Sequence, residues 1–411
     1  MFIFGRRGGG GITLSGLGKQ TRRLHRPTVA IFNIGWLCVV AALALSFIGY
    51  FSISGIPRPG EPDYATRHLV FIFVGIVAAC VVAVPHYKWA RVFSYPFLIL
   101  VLLMLIFVLI PFVPDSIVRP RNGARRWISL VVTDFQPSEL AKIAYVVALA
   151  SYLRFRSNYR RLGGLMLPLA LTFIPMGLVL IEPDLGTALL FLPTLFAMLV
   201  AAGAKLRHIM LVVILGLSLA PAMYPLLKPH QANRIKALYA QIIGDPQYEN
   251  GIGYQGARAM TLTGAGQLTG AGERHGAALI TFNKLPEDHN DMIFAVVACR
   301  WGMMGALVIW GLFITLVGGG LLVAAQTKDP FARLVPVGIS ALLLAQMTIN
   351  TGMTIGIMPI TGMTLPFVSY GGSSLVTAWI MVGLMFNIGM RRPRYLAREA
   401  FEFSEEDDED V

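Results

Sequence analysis

The sequence predicts an all-α integral membrane protein of about ten transmembrane helices, and three observations carry that expectation. Of its 411 residues, 55% are apolar and only 14% charged, so the chain has too little polar surface to hide its apolar side chains in one soluble core. Apolar runs on the scale needed to cross a hydrocarbon layer, roughly 17 to 25 residues, recur from position 28 to 390 with short breaks. Lysines and arginines sort by loop, which orients the spans.

The elements follow in order. Residues 1–27 form a basic, Gly-rich tail, and the apolar stretch behind it is of full membrane length with no A-x-A-like cleavage site, so it reads as a retained signal anchor. Spans are expected at about 28–50, 68–85, 92–112, 138–153, 165–181, 185–203, 208–227, 291–325, 334–357 and 366–390. HYKWAR (86–91), RFRSNYRR (154–161), AKLRH (204–208), TKDPFAR (327–333) and MRRPRYLAR (390–398) are basic and share the side of the N-terminus. That side is expected to be the cytoplasm, with both termini there. The opposite side holds 55–68, 113–137, EPDLG, a large loop of about 60 residues (228–290) between helices 7 and 8, and IMPITGMTLP. The membrane domain is expected to end near 395, and 396–411 to form an acidic, disordered cytoplasmic tail. No internal repeat is visible, which disfavours transporters built from repeated halves.

The net charge of +12 does not mark a nucleic-acid binder, because the basic residues are scattered through short loops and form no stripe with interleaved aromatics. Cys38, Cys80 and Cys299 lie inside apolar spans without paired-ligand spacing and read as small packing residues. The charge rule breaks on the outer side, where Arg119, Arg121, Arg125 and Arg126 crowd one short loop. Arginine forks match phosphate geometry, so this cluster reads as an anion site or as a headgroup anchor. Arg234, Lys236, Arg258, Arg274 and Lys284 sit in the long loop, where charge is tolerated.

Ionisable groups at membrane depth or at its rim are functional candidates that need a partner. In QPSELAK, Pro137 and Ser138 begin a helix on which Glu139 and Lys142, three residues apart, share a face as a functional or a structural ion pair. In EPDLGTA, Pro183 halts one helix and Asp184 caps the next or serves a ligand. In LPEDHNDMIFAV, Asp291 is the last polar residue before lipid depth, where desolvation raises a carboxylate's proton affinity and suits a general base or an N-cap. His289 has no second histidine at ligand spacing, so no metal motif is visible. Arg300, nine residues past Asp291, is expected about 13 Å deeper on an unbroken helix, on its opposite face, and in need of a buried partner. In PITGMTLPFVSYGGSSL, Pro359 and Pro366 break helices while Gly362, Gly371, Gly372, Ser369, Ser373 and Ser374 permit close approach, either of a ligand or of another helix.

Taken in order, NGARRWI (122–128), QPSELAK (136–142), EPDLGTA (182–188), LPEDHNDMIFAV (285–296) and PITGMTLPFVSYGGSSL (359–375) resemble the SEDS family (shape, elongation, division and sporulation) over about 28–395. GYQGARAMTLTGAGQLTGAG (253–272) and the ITG before LPFVSYGG look more like its elongation branch, RodA, than its division branch, FtsW. The resemblance implies a peptidoglycan glycosyltransferase of the cytoplasmic membrane, active face outward, that polymerises lipid II alongside a class B penicillin-binding protein, a transpeptidase. It places the family's essential carboxylate at Asp291, its glutamate and lysine at Glu139 and Lys142, and its arginine-bearing motif at Arg125 and Arg126. Asp291 is then the expected base, with Arg125, Arg126, Glu139, Lys142, Asp184, Ser369, Ser373 and Ser374 expected to bind substrate. A divalent cation is compatible with such chemistry, though no ligand motif identifies one.

Two departures stand out. Cys299, Arg300 and Trp301 precede Gly302 where the family usually carries a pair of glutamates, and Asn290 replaces a threonine before Asp291. Neither removes the expected base. A lipid flippase would also need buried charge and broken helices, but its key groups belong near the midplane, whereas these cluster at the outer rim. A non-catalytic scaffold for a transpeptidase is the other alternative, and the retained Asp291, Glu139, Lys142, Arg125 and Arg126 count against it.

Overall fold

The computed structural model describes residues 30–56, 62–121, 124–130, 134–154, 162–223, 225, 229–243, 245 and 251–391. The basic tail expected at 1–27 and the acidic one at 396–411 lie outside them. Fourteen α-helices, a short 3-10 helix (Leu162–Leu165) and one small sheet are present among the described residues. The helices are α1 (Gly35–Ser54), α2 (Tyr64–Ala83), α3 (Lys88–Val92), α4 (Ser94–Leu109), α5 (Pro137–Leu153), α6 (Met166–Ile181), α7 (Leu185–Ala202), α8 (Leu206–Met223), α9 (Pro229–Ile243), α10 (Tyr254–Ala265), α11 (Gly272–Asn283), α12 (Ile293–Ala325), α13 (Pro330–Thr354) and α14 (Gly372–Met390).

The chain is a multi-pass membrane protein. Seven helices, including α1, α2, α7, α12, α13 and α14, are long and apolar enough to cross a bilayer, and α4 and the first part of α8 are shorter apolar helices. Outward-facing Phe47, Phe73, Val81, Leu103 and Ile314 are exposed along these helices, as expected where lipid is the solvent. α5 differs: nearly every residue from Pro137 to Leu153 is buried, because the helix passes through the middle of the bundle and packs against α4, α7, α13 and α14. Its burial explains how it tolerates Glu139 and Lys142, which satisfy one another instead of meeting lipid.

Three features depart from the expected picture of helices joined by plain loops. The arginine-rich segment folds into a three-stranded antiparallel sheet of β1 (Val118–Arg121), β2 (Ala124–Ser129) and β3 (Asp134–Phe135), in that order. The expected loop 228–290 contains α9, α10 and α11. α12 is also not one continuous rod. At 33 residues it would be about 50 Å long, well beyond a hydrocarbon core of about 30 Å. It breaks at Gly302, whose φ of 63° and ψ of −160° lie outside the range open to other residues.

The break is filled by the turn between α10 and α11. Ala271 N donates to Cys299 O at 2.9 Å, and Met303 N and Met304 N donate to Gln267 O and Leu268 O at 2.9 and 3.2 Å, so the interrupted helix leaves none of these groups orphaned. Arg300 sits at this break. Its Nη1 donates to Phe51 O at 2.6 Å in the last turn of α1, its Nη2 approaches Glu273 Oε1 at 3.4 Å, and its guanidinium lies 5.0 Å from the Trp301 ring centroid. Arg300 therefore lies level with the end of α1 and has the partners that a charge in an apolar helix requires.

Candidate functional site

The ends of α2, α5, α7 and α14, the sheet, α9 and the turn before α12 enclose a cavity of about 1100 Å³. Asp291, Arg126, Glu139, Asp184, Ser373 and Ser374 all line it, so six of the residues singled out in sequence share one space. Arg125, Lys142 and Ser369 do not line it and serve the wall from behind.

The sheet decides between the two neighbouring arginines. Trp127 pairs with Arg119 and Arg125 with Pro120, so Arg126 is the extra residue of a β-bulge. Pro120 has no N–H to give to the ladder, and bulges re-aim side chains. Both Arg126 and Trp127 consequently reach the cavity. Arg126 Nε donates to Glu182 O at 2.6 Å and its Nη2 to Pro183 O, which fastens the sheet to the turn between α6 and α7. Arg125 points away. Its Nη1 donates to Pro111 O at 2.9 Å, its Nη2 to Val113 O, and Asp115 lies 3.4 Å from it, so it pins the sheet to the chain leaving α4.

The floor is built on α5. Pro137 opens the helix at a position where a missing N–H costs nothing. One turn later Lys142 Nζ lies 2.8 Å from Glu139 Oε2, and it donates to Gln346 Oε1 of α13 at 3.3 Å. Gln346 Nε2 in turn donates to Thr364 O at 2.9 Å. Asp184 is the N-cap of α7, accepting from Thr187 N at 3.1 Å and Thr187 Oγ1 at 2.9 Å, and it also accepts from Gln136 Nε2 at 3.0 Å. Cap and cavity residue are therefore the same side chain. Ser373 Oγ donates to Asp134 O at 3.1 Å and Ser374 Oγ lies 2.8 Å from Thr364 Oγ1, tying the start of α14 to the sheet and to the 361–364 loop.

Asp291 is the penultimate residue of the turn 287–292, in which Met292 N donates to Glu287 O at 3.1 Å. Three bonds hold that turn from outside: Asn350 Nδ2 donates to Asp291 O at 2.9 Å, Ser369 Oγ to Asn290 O at 2.7 Å, and Tyr370 N to His289 O at 2.9 Å. They fix the backbone and leave the carboxylate facing the cavity. Burial, and then the nearby Glu287, push the Asp291 carboxyl up to about 7, against the opposing pull of Arg234. A carboxyl tuned near neutrality suits proton abstraction.

Arg234 is the residue that sequence reasoning left among the unremarkable charges of the long loop. It reaches the cavity from α9, with Nη1 donating to Thr361 O at 2.8 Å. Burial and the neighbouring Arg126 lower its proton affinity, while Asp291 and Asp184 raise it, so the four groups share one electrostatic environment. Gly362, at φ 74°, lies between base and arginine: a Cβ there would stand 3.4 Å from Asp291 Oδ2 and 3.6 Å from Arg234 Nη2. Gln136, Gln346 and Glu287 are further lining residues that no motif marked for this purpose. No group of three His, Cys, Asp or Glu side chains is arranged to hold a metal ion among the described residues.

Fold and cavity together define a polytopic membrane protein with an acid- and arginine-lined chamber walled by helix ends and the sheet. The family model of FtsW, RodA and SpoVE, described as "Cell cycle protein", matches residues 32–393, and the chain belongs to that family. It is 33% identical to the probable peptidoglycan glycosyltransferase FtsW of Coxiella burnetii, across 88% of this chain and 98% of that one. It is also 33% identical to the stage V sporulation protein E of Bacillus subtilis, across 87% and 97%. Among solved structures it resembles a chain from "Structural coordination of polymerization and crosslinking by a peptidoglycan synthase complex", with a TM-score of 0.74, 28% identity and coverage of 88% and 98%. The Thermus thermophilus rod shape determining protein RodA gives a TM-score of 0.64 at 27% identity with the same coverage.

Proposed function

We propose that the chain is a peptidoglycan glycosyltransferase that polymerises lipid II at the outer face of the cytoplasmic membrane, with Asp291 as its general base. The observation that carries this reading is the placement of a half-buried carboxyl, tuned to about 7, in one chamber with the guanidinium groups of Arg126 and Arg234. A base and an anion site are the two things this transfer requires. Asp291 takes the proton of the 4-hydroxyl on the acceptor's terminal N-acetylglucosamine. The freed oxygen bonds to the anomeric carbon of the donor's N-acetylmuramic acid, and the bond from that carbon to the pyrophosphate oxygen breaks. Undecaprenyl pyrophosphate leaves, and Arg126 stabilises its charge. Val70 and Phe71 on α2 supply an apolar wall beside the polar one, which suits a lipid-linked sugar.

Glu139 and Lys142 hold the floor, Asp184, Ser373 and Ser374 line the walls, and Ser369 fixes the base-bearing turn. The outward direction rests on the distribution of lysine and arginine, which leaves the basic segments on the side away from the cavity. A class B penicillin-binding protein is the partner we assign, in keeping with the synthase complex among the structural relatives. The role in elongation rests on the 253–272 stretch and the ITG motif, whereas the curated relatives named above belong to division and sporulation.

The test is a glycan-strand assay with purified protein, the transpeptidase and labelled lipid II. Wild type should yield polymer and Asp291→Ala none. Polymer from the variant at the wild-type rate would remove Asp291 as base, and no polymer from wild type would remove the activity itself. Restoration of rod shape or of septation in depleted cells separates elongation from division.

A further inference from the structure

α9 has two faces with different surroundings. The inward face carries Arg234, the buried Ala237 and Gln241, whose Nε2 donates to Gly356 O at 2.9 Å. The outward face carries Ile235, Tyr239, Ile242 and Ile243, which are 41%, 65%, 74% and 58% exposed, with exposed Lys236 beside them. Positions 235, 239 and 242 are four and three residues apart and so form one stripe along the helix. A stripe of large apolar side chains standing in water gains nothing from folding.

The depth of this helix follows from what it binds. α13 is a membrane-spanning helix that ends at Thr354, and Gln241 is bonded to Gly356 just beyond that end. Arg234 is bonded to Thr361 in the loop that follows. Ile357, 70% exposed, adds another apolar side chain beside the Gly356 anchor. On its other side α9 is joined by a short connection to α8, which ends at Met223. The helix thus lies where spans leave the hydrocarbon, and its apolar stripe flanked by a lysine is the pattern of a helix resting in a membrane interface.

We propose that α9 is an interfacial helix, whose Ile235–Tyr239–Ile242 stripe is seated in the headgroup boundary of the bilayer and thereby holds Arg234 in the cavity. The occupant of the stripe is the lipid surface itself, with acyl chains against the isoleucines and headgroup phosphates within reach of Lys236. The site arginine is then positioned by lipid contact as well as by its bond to Thr361. The contact does not depend on which reaction the cavity performs.

The experiment uses nitroxide labels on full-length protein in phosphatidylethanolamine and phosphatidylglycerol liposomes. Cys38 and Cys299 are buried and stay, while exposed Cys80 is changed to alanine, and that protein without further cysteines measures background labelling. Labels at Tyr239→Cys and Ile242→Cys should be relaxed by oxygen more than by a water-soluble nickel chelate, and a label at Asn233→Cys should show the reverse. Nickel-dominated relaxation at 239 and 242 overturns the proposal, and so does shielding from both reagents, which would mean that protein covers the stripe. The coupling to Arg234 is read separately from the triple variant I235S/Y239S/I242S, checked for an unchanged melting temperature. Polymer yield in liposomes should fall about as far as in Arg234→Ala, and a wild-type yield would sever the helix from the site.

Discussion

Two carboxylate and cation pairs border the same chamber and are built in opposite ways. Glu139 and Lys142 stand one turn apart on a single buried helix, 2.8 Å from each other, with Gln346 Oε1 accepting a further hydrogen bond from the lysine. Asp291 and Arg234 come from two segments of the chain and face each other across the space left by Gly362. The first pair is closed and each charge has its counter-charge in hand. The second is open, its carboxyl held up near 7 because burial outweighs the arginine's attraction. Similar residue types therefore make a structural floor in one place and a reactive edge in the other.

The comparison breaks if the two pairs respond alike to mutation. Lys142→Met leaves the Glu139 carboxylate buried and unpaired and should destabilise the protein by about 3–5 kcal/mol, seen as a lower melting temperature in detergent. Restoring neutrality with E139Q/K142M should recover most of that loss. Asp291→Asn should not lower the melting temperature, and at pH 7 should raise it because folding no longer takes up a proton there, while polymerisation falls roughly 10²- to 10⁴-fold, the usual contribution of a general base. A stable Lys142→Met, or an Asp291→Asn that unfolds, would reverse the assignment of floor and edge.

The two neighbouring arginines sharpen the contrast. Arg126→Ala removes a donor from the chamber and should cost about 10²- to 10³-fold in turnover. Arg125→Ala unpins the sheet from the end of α4 and should act mainly on stability, with a smaller effect on rate. Equal losses of turnover with equal melting temperatures would mean that the bulge does not separate their roles.

Much of this was legible in sequence, and the failures have local causes. Apolar run length located the helices, seven of which are long and apolar enough to cross a bilayer, and polar residues at helix starts marked Asp291, Asp184 and Glu139, because a carboxylate at the rim of lipid needs a cap or a ligand to justify its desolvation. Arg125 was grouped with Arg126 since nothing in RNGARRW announces which residue occupies a bulge, although Pro120 in the opposing strand is the signal that a ladder bond is missing. Arg234 was passed over because loop charges are common and the docking of α9 on residues 356 and 361 is a long-range contact. The break at Gly302 went unforeseen because an apolar run of 33 residues reads as one helix, and its excess length over a bilayer was the available warning.

The open pair also predicts a pH dependence. Polymerisation requires the ionised base, so its rate should rise with pH along an acid limb centred near 7. Arg234→Gln removes an attraction that favours the ionised form and should move that limb upward. Stability runs the other way. An ordinary aspartate loses its proton near 3.8 in the unfolded chain and Asp291 near 7 in the folded one, so between these values the folded state binds more protons and loses stability as pH rises. Asp291→Asn should flatten that slope, and an acid limb that ignores Arg234→Gln would show that the two groups do not interact.

Glu182 extends the comparison to a carboxyl with no cation bonded to it among the described residues. It is buried at the end of α6, neither of its oxygens has a hydrogen-bond partner among the described residues, and burial together with Asp184 pushes it up to about 9. It is therefore neutral in the folded protein at pH 7, while in the unfolded chain it ionises near 4.5. Folding must take up a proton at that position, and the cost grows as pH rises from about 4.5 to 9. Glu182→Gln keeps the shape without the proton uptake, so its advantage in unfolding free energy over wild type should be absent at pH 4 and widen with pH by at most about 1.4 kcal/mol per unit, read from denaturation at each pH. A constant difference across that range would mean that Arg126 neutralises an ionised Glu182, making this third carboxyl a paired one like Glu139.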